Sequence, residues 1–203
     1  TTLEERIERL ESLDSIRQLV SKYSLALDVR DLDAMVSLFP SNVKVGKNAI
    51  GRLALKKWFD TTLRDQFTGT AHHIGNHIIE FYDSHNAHGV VYSKNEHETE
   101  KEWIIMQMMY WDDYIAIDGT WFFKRRLPLY WYATDLNSPP IGNNKMRWPG
   151  VDPYKGEFHS LWPSWKEFWA RDNNLSDVNP PFEINNFLMT LRRNSKIPNI
   201  KVK

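Results

Sequence analysis

The sequence predicts an α+β fold on three observations. Helical spacing of apolar residues dominates the first third of the chain, four β-rich segments then follow one another, and Asp118-Gly119 sits between the last two as a hairpin turn. Helices grouped ahead of consecutive strands imply a curved antiparallel sheet wrapped around the N-terminal helices. Such a cone has an inside, and therefore an interior pocket.

From Leu3 to Phe39 the apolar residues recur at helical spacing, through Ile7, Leu10, Ile16, Leu19, Val20, Tyr23 and Leu27. Asp28 ends that stripe, and Asp31 or Asp33 is placed to cap a short second helix holding Met35, Val36, Leu38 and Phe39. A third helix is expected after Gly51, through LALKKWFDTTLRDQF. The strands are expected over His72 to Tyr82, His88 to Glu98, Trp103 to Ile117 and Thr120 to Ala133. Beyond Asp135 the stretch SPPIGNNKMRWPGVDPYKG reads as an irregular arm, followed by short helices over Leu161 to Ala170 and Glu183 to Arg193. Trp162, Trp165 and Trp169 form an aromatic ridge too apolar to be left in water. The expected organisation is therefore a cone over residues 1–135 and an extension over 136–203. That extension would pack on the cone mouth or on a neighbouring subunit.

Composition narrows the function classes. Lys+Arg and Asp+Glu balance at 26 each, so no long-range field draws the protein to nucleic acid or to an anionic membrane. Cysteine is absent, which removes disulfides, thiolate nucleophiles and cysteine metal sites. The N-terminus is charged throughout and no apolar run approaches the roughly 18 residues of a membrane span, so a soluble, cytoplasmic protein is expected. An open cone leaves one sheet face needing cover, which predicts a homodimer or homotrimer.

Three of the seven histidines lie in the stretch TAHHIGNHIIEF, residues 70–81. On a strand, His73 and His77 stand roughly 13 Å apart, too far to share an ion. A metal site built from His72 with His88 or His97 is the remaining metal reading, and nothing in the spacing demands it. Strict alternation places His72, Ile74, Asn76, Ile78 and Glu80 on one face and His73, Gly75, His77 and Ile79 on the other. Tyr23 and Asp28 lie on or just past the apolar face of the first helix, and a carboxylate buried there needs a partner. An imidazole across the cavity is the natural one.

Taken together, the stretches IRQLVSKYSLALDVRDLDAMVSLF, GRLALKKWF, TAHHIGNHIIEF and DGTWFFKRR resemble a known family over roughly Leu3 to Asp135. It is that of the SnoaL-like polyketide cyclases, within the nuclear-transport-factor-like cone fold that also includes scytalone dehydratase and hexachlorocyclohexane dehydrochlorinase. The family pattern Thr-x-His-x-x-x-Asn reads here as Thr70, His72 and Asn76. The resemblance implies that His72 is the catalytic base, that Asp28 stands in the place of the family acid, and that Tyr23 is a substrate-orienting tyrosine.

The chemistry expected of that pair needs no cofactor and no metal. An imidazole with a reference pKa near 6.5 exchanges protons readily, while a carboxylate behind it sets its tautomer. Tyr23 or a basic residue such as Arg125 would steady a developing oxyanion. Asn76 is placed to bond a substrate oxygen, and Tyr92, Tyr110 and Trp111 are candidates for the lining, with Asn95 and His97 sharing a face of the second long strand. The expected activity is that of a cofactor-independent lyase or isomerase acting on a small hydrophobic compound, aromatic, polyketide or terpenoid. It would work by elimination, cyclisation, double-bond shift or retro-aldol-type cleavage. The alternative is a non-catalytic binding module of the same fold.

Overall fold

The structure is a computed structural model, and it describes residues 1–156, 159, 162–172, 175 and 183–195. The chain opens with α1 (Leu3–Asp28), capped by a reciprocal Thr2–Glu5 pair in which Glu5 N donates to Thr2 Oγ1 at 3.1 Å and Thr2 N donates to Glu5 Oε2 at 2.7 Å. Its second half buries Ile16, Leu19, Val20, Tyr23, Ala26 and Leu27, while Leu3, Ile7 and Leu10 in the first turns stay exposed. Asp31 caps α2 (Leu32–Val36) by accepting from Ala34 N at 2.9 Å. A two-stranded ribbon, β1 (Lys44–Val45) with β2 (Ala49–Ile50), leads through Gly51 at φ +103° into α3 (Arg52–Gln66).

Four long strands then form one curved antiparallel sheet in chain order: β3 (Gly69–Phe81), β4 (Asn86–Glu98), β5 (Trp103–Ile117) and β6 (Thr120–Asp135). The β5–β6 hairpin turns on Asp118 and Gly119, both at positive φ, 49° and 77°. The helices pack on the inner face, where Tyr23, Phe39, Val91, Met106, Tyr110, Tyr114 and Phe123 belong to one apolar cluster. Both sheet edges are irregular. The β3–β4 register shifts between Ile74 and His77, and the β5–β6 register shifts twice, between Gln107 and Met108 and between Asp113 and Tyr114.

These shifts overturn strict alternation. The extra residue at Gly75–Asn76 returns His77, Ile79 and Phe81 to the face that carries His72 and Ile74, and it turns Ile78 and Glu80 outward. The shift at the start of β6 acts alike: Trp121 and Phe123 face inward, and beyond the extra residue it is Arg126 that does so.

On the outer face, Val90, Met109, Trp111 and Leu129 form a second cluster with Trp162 and Leu188 from the described part of the tail. Helices α4 (Pro163–Ala170) and α5 (Phe187–Leu191) lie there. Leu188 N donates to both carboxylate oxygens of Glu80, at 3.1 and 3.3 Å, and Glu80 also pairs with His88 at 3.1 Å. The described part of the tail around α4 and α5 therefore covers the outside of its own sheet, while Met146 of the arm, with Trp148 against it, belongs to the inner cluster. The expected first residue of α4, Leu161, lies outside the described residues, as do residues 157–158, 160, 173–174, 176–182 and 196–203. The arm is tied to the β6 edge by Met146, which bridges Ala133 and Tyr154, and by Arg147, which pairs with Glu102 and Asp135. Among the described residues, no helix is long and apolar enough to cross a membrane.

Candidate active site

The last residue of α1 and the start of β3 meet. Asp28 Oδ1 receives His72 Nδ1 at 2.6 Å and Thr70 Oγ1 at 2.9 Å, and Asp28 Oδ2 receives the backbone N–H of His72 at 2.7 Å. Thr70 is itself held by Arg30, whose Nη1 donates to Thr70 Oγ1 at 2.7 Å and to Leu27 O at 2.8 Å. Arg30 reaches back this way from a left-handed conformation, φ +62°, two residues past the end of α1. Burial works to raise the Asp28 pKa, but the hydrogen bonds from His72 and Thr70 and the nearby imidazole charge outweigh it, and the carboxyl titrates below its ordinary value. An ionised Asp28 only accepts, so His72 carries its hydrogen on Nδ1 and keeps the lone pair on Nε2. The His72 side chain is 3% exposed and that of Asp28 20%, which sets the pair at the rim of the interior, facing inward.

Deeper in lie aromatic rings and one cation. Tyr23 packs edge-on against Phe39, Phe59, Tyr110 and Phe123 at centroid distances of 6.4, 6.4, 6.2 and 5.6 Å. Burial pushes its phenol well above the usual tyrosine range. The Arg126 guanidinium lies over Tyr110 at 3.8 Å, Tyr23 at 4.4 Å and Phe123 at 4.6 Å. Its side chain is 4% exposed, and Nε stands 3.1 Å from Oδ1 of the fully buried Asp112. Asn95 donates to Tyr110 Oη at 3.3 Å and to Met108 Sδ at 2.9 Å, and receives a short bond from Ser93. The His97 ring lies 5.9 Å from His72 and 4.5 Å from Phe67.

The residues singled out in the sequence divide accordingly. Asp28, His72, Tyr23 and Tyr110 face the interior, as do Asn95 and His97. Asn76 does not: it occupies the bulge and is exposed. Tyr92 is 37% exposed on the outer face, stacked on Trp131 at 6.1 Å. Trp111 is buried in the outer cluster, 6.1 Å from Trp162. Arg125 belongs to the outer face with Asp113 and His88, and the interior cation is its neighbour Arg126. The side chains that sequence reasoning missed are Arg126, Asp112, Tyr114 and His77. For His77 a signal existed, since an isolated glycine such as Gly75 within a strand pattern marks a bulge. Two grooves lie outside this interior: one of about 470 Å³ between α1 and the β5–β6 hairpin, and a more apolar one of about 630 Å³ between the outer sheet face and α4. Among the described residues, no three His, Asp or Glu side chains converge to hold a metal ion. His88 pairs with Glu80 on the opposite face of the sheet from His72.

Two interior histidines predict an acid-sensitive fold. Burial lowers the pKa of His77 from 6.5 to about 4 and that of His97 to about 3. Between those values and 6.5 the unfolded chain binds protons that the folded one does not, so stability falls as pH drops. Asp112, raised by burial to about 6, acts the other way but over a smaller span. Urea unfolding is expected to show a fold about 2–3 kcal/mol weaker near pH 4.5 than near pH 7, and His97→Gln should flatten that slope. A pH-independent midpoint would contradict the neutral burial of these rings.

Comparison with known proteins places this geometry. A SnoaL-like domain matches residues 8–127, and the chain belongs to that family. A scytalone dehydratase-like protein of Novosphingobium aromaticivorans DSM 12444 is 28% identical, with a TM-score of 0.57 over 66% of this chain and 93% of that one. Hexachlorocyclohexane dehydrochlorinase LinA-type3 from Novosphingobium barchaimii LL02 is 18% identical, with a TM-score of 0.59 over 66% and 96% of the two chains. A protein of unknown function from Mycobacterium tuberculosis is 21% identical, with a TM-score of 0.54 over 68% and 80%. These similarities place the fold among the nuclear-transport-factor-like cones. No curated protein sequence matches the chain.

Proposed function

We propose that the protein is a cofactor-independent lyase or isomerase in which His72 and Asp28 perform acid–base catalysis on a small hydrophobic substrate, aromatic, polyketide or terpenoid. The observation that carries this reading is the 2.6 Å contact between His72 Nδ1 and an Asp28 carboxylate held by two further hydrogen bonds. That arrangement leaves Nε2 basic and stabilises the imidazolium that forms. In an elimination, Nε2 takes a proton from carbon, the C–H electrons become the new double bond, and the bond to the leaving group breaks. The imidazolium then returns its proton to a departing hydroxyl, releasing water. In this reading Tyr23 and Arg126 are the phenol and guanidinium that meet charge developing on a substrate oxygen. Two of the similar structures carry names that denote loss of water and of hydrogen chloride, which supports the reaction class. In the same reading residues 1–135 are the catalytic unit and residues 136–203 an extension that packs on it. The apolar outer face that predicted a dimer or trimer is shielded in part by this chain's own tail.

The test is a panel of aromatic and terpenoid hydroxy-ketones incubated with the protein in D2O, followed by NMR for deuterium uptake next to the carbonyl and for loss of water. At least one compound should react with the wild type and fail to react with His72→Ala. If every compound behaves the same with both proteins, the proposal falls. Changed affinity with unchanged reaction would favour a binding module.

A further inference from the structure

Two hydrogen bonds and an ion pair form a chain that crosses the interior face of the sheet and ends on Arg126. His77 Nε2 lies 3.0 Å from Tyr114 Oη, Tyr114 Oη donates to Asp112 Oδ2 at 2.9 Å, and Asp112 Oδ1 faces Arg126 Nε at 3.1 Å. Its direction follows from counting hydrogens. Tyr114 has one, and it goes to Asp112, so His77 must donate through Nε2–H to the phenol oxygen. Each donor along the chain thus points toward the Asp112 carboxylate, and the carboxylate in turn faces the guanidinium.

Three separate features of the backbone converge on this arrangement. The bulge at Gly75–Asn76 turns His77 inward, and the register shift at the start of β6 turns Arg126 inward. Between them, Tyr114 on β5 reaches His77 on β3 by crossing β4 directly over Gly89. A Cβ at position 89 would stand 2.6 Å from Ile78 O, 3.1 Å from Tyr114 Cε2 and 3.3 Å from Tyr114 Oη. Only glycine lets the β3 backbone approach this closely and the phenol lie across it. Apolar packing alone would be served by phenylalanine at 114 and an apolar side chain at 77, so the polar groups along this path call for another explanation.

We propose that His77 and Tyr114 are positioning residues: they hold Asp112 as a carboxylate and through it fix the Arg126 guanidinium beside Tyr23 and Tyr110. The inference deepens the proposed acid–base function, on which the role assigned to Arg126 rests. The charged and titratable groups facing the chain are Arg126 from β6; Tyr110 and Tyr114 from β5; Tyr23 and Arg17 from α1; and His77 itself from β3, with Asp113 acting on Asp112 from the outer face. From β4 it meets Gly89 and Val91. Full burial is the largest influence on Asp112 and raises its pKa to about 6, while Arg126 and the Tyr114 hydroxyl pull it down. Removing the hydroxyl therefore weakens the acid further.

The test needs no substrate. In protein labelled with ¹³C at aspartate carboxyls, the Asp112 resonance is assigned by its loss in Asp112→Asn and titrated directly. Tyr114→Phe should lower the acidity constant of Asp112 by about tenfold. His77→Leu should give a smaller shift in that direction, and His77→Gln, which keeps a donor, should restore it. An Asp112 titration unchanged in Tyr114→Phe would overturn the proposal. With any panel compound that the wild type converts, Tyr114→Phe should lower kcat and move the acid limb of its pH profile upward. An unaltered kcat and pH profile in Tyr114→Phe, beside an inactive Asp28→Asn, would refute positioning while leaving the acid–base reading intact. Full activity in Asp28→Asn would refute that reading alone, and the carboxyl titration would still decide whether the chain holds Asp112.

Discussion

Asp28→Asn should lower turnover of a converted substrate by about 10²–10⁴-fold, an effect of roughly 3–5 kcal/mol on the barrier, with little change in the urea midpoint. The reason is a forced tautomer. The backbone N–H of His72 donates to Asp28 Oδ2 at 2.7 Å, so an asparagine would orient its carbonyl oxygen to keep that bond. Its amide nitrogen then replaces Oδ1, facing His72 Nδ1 and Thr70 Oγ1. An amide nitrogen donates, so His72 would accept at Nδ1 and carry its hydrogen on Nε2, leaving no lone pair for the substrate. Thr70 can adapt, since its hydroxyl accepts as well as donates, and that is why the fold should tolerate the change. Asp28→Glu keeps the charge while displacing it, and should retain more activity than asparagine. Equal rates for wild type and Asp28→Asn on every converted substrate would exclude a base held by this acid.

Much of this architecture is legible in the residues because its signals are local and strong. Ile16, Leu19, Val20, Tyr23 and Leu27 repeat at helical spacing and are buried together, Asp31 caps α2, and Asp118-Gly119 makes the hairpin turn. Asp28 and His72 were paired by an argument of a different kind, that a carboxylate on a buried helix face needs a partner, with the family pattern selecting the histidine. What alternation could not supply was the face of each residue beyond a bulge. One extra residue flips everything after it, so Asn76 moves from the interior list to solvent and His77 takes the opposite course. Gly75 was the one local sign of the first bulge. At Lys124 the second has none, since Lys124, Arg125 and Arg126 look alike to any rule of spacing. Trp111 failed for another reason. Both faces of β5 are apolar, Met106, Met108 and Tyr110 inside and Met109 and Trp111 outside, because the tail covers the second face. A strand buried on both sides carries no periodicity from which to choose a side.

Arg126→Met should cost about 3–5 kcal/mol of stability at neutral pH, because it leaves the Asp112 carboxylate buried without its counter-charge. Asp112 has no exposed surface, and burial already raises its pKa to about 6 with Arg126 in place. Without the guanidinium it should rise further, so that the folded state binds a proton which the unfolded state, with a pKa near 3.8, has released. A folded pKa above the unfolded one gives stability that is present at low pH and lost as pH rises through the folded value. The defect in Arg126→Met should therefore shrink near pH 5 and widen near pH 8, opposite in sign to the histidine-driven trend of the wild type. Asp112→Asn in the same background removes the orphaned charge and should recover most of the loss. Asp112→Asn alone should be milder, because the rings of Tyr110, Tyr23 and Phe123 still face the cation. Urea midpoints of the two single variants and the double variant, measured at both pH values, give the coupling directly. Additive effects, or an Arg126→Met defect that ignores pH, would mean that these two side chains do not balance one another. In that case the interior cation is held by the aromatic rings, and the chain from His77 carries no charge to it.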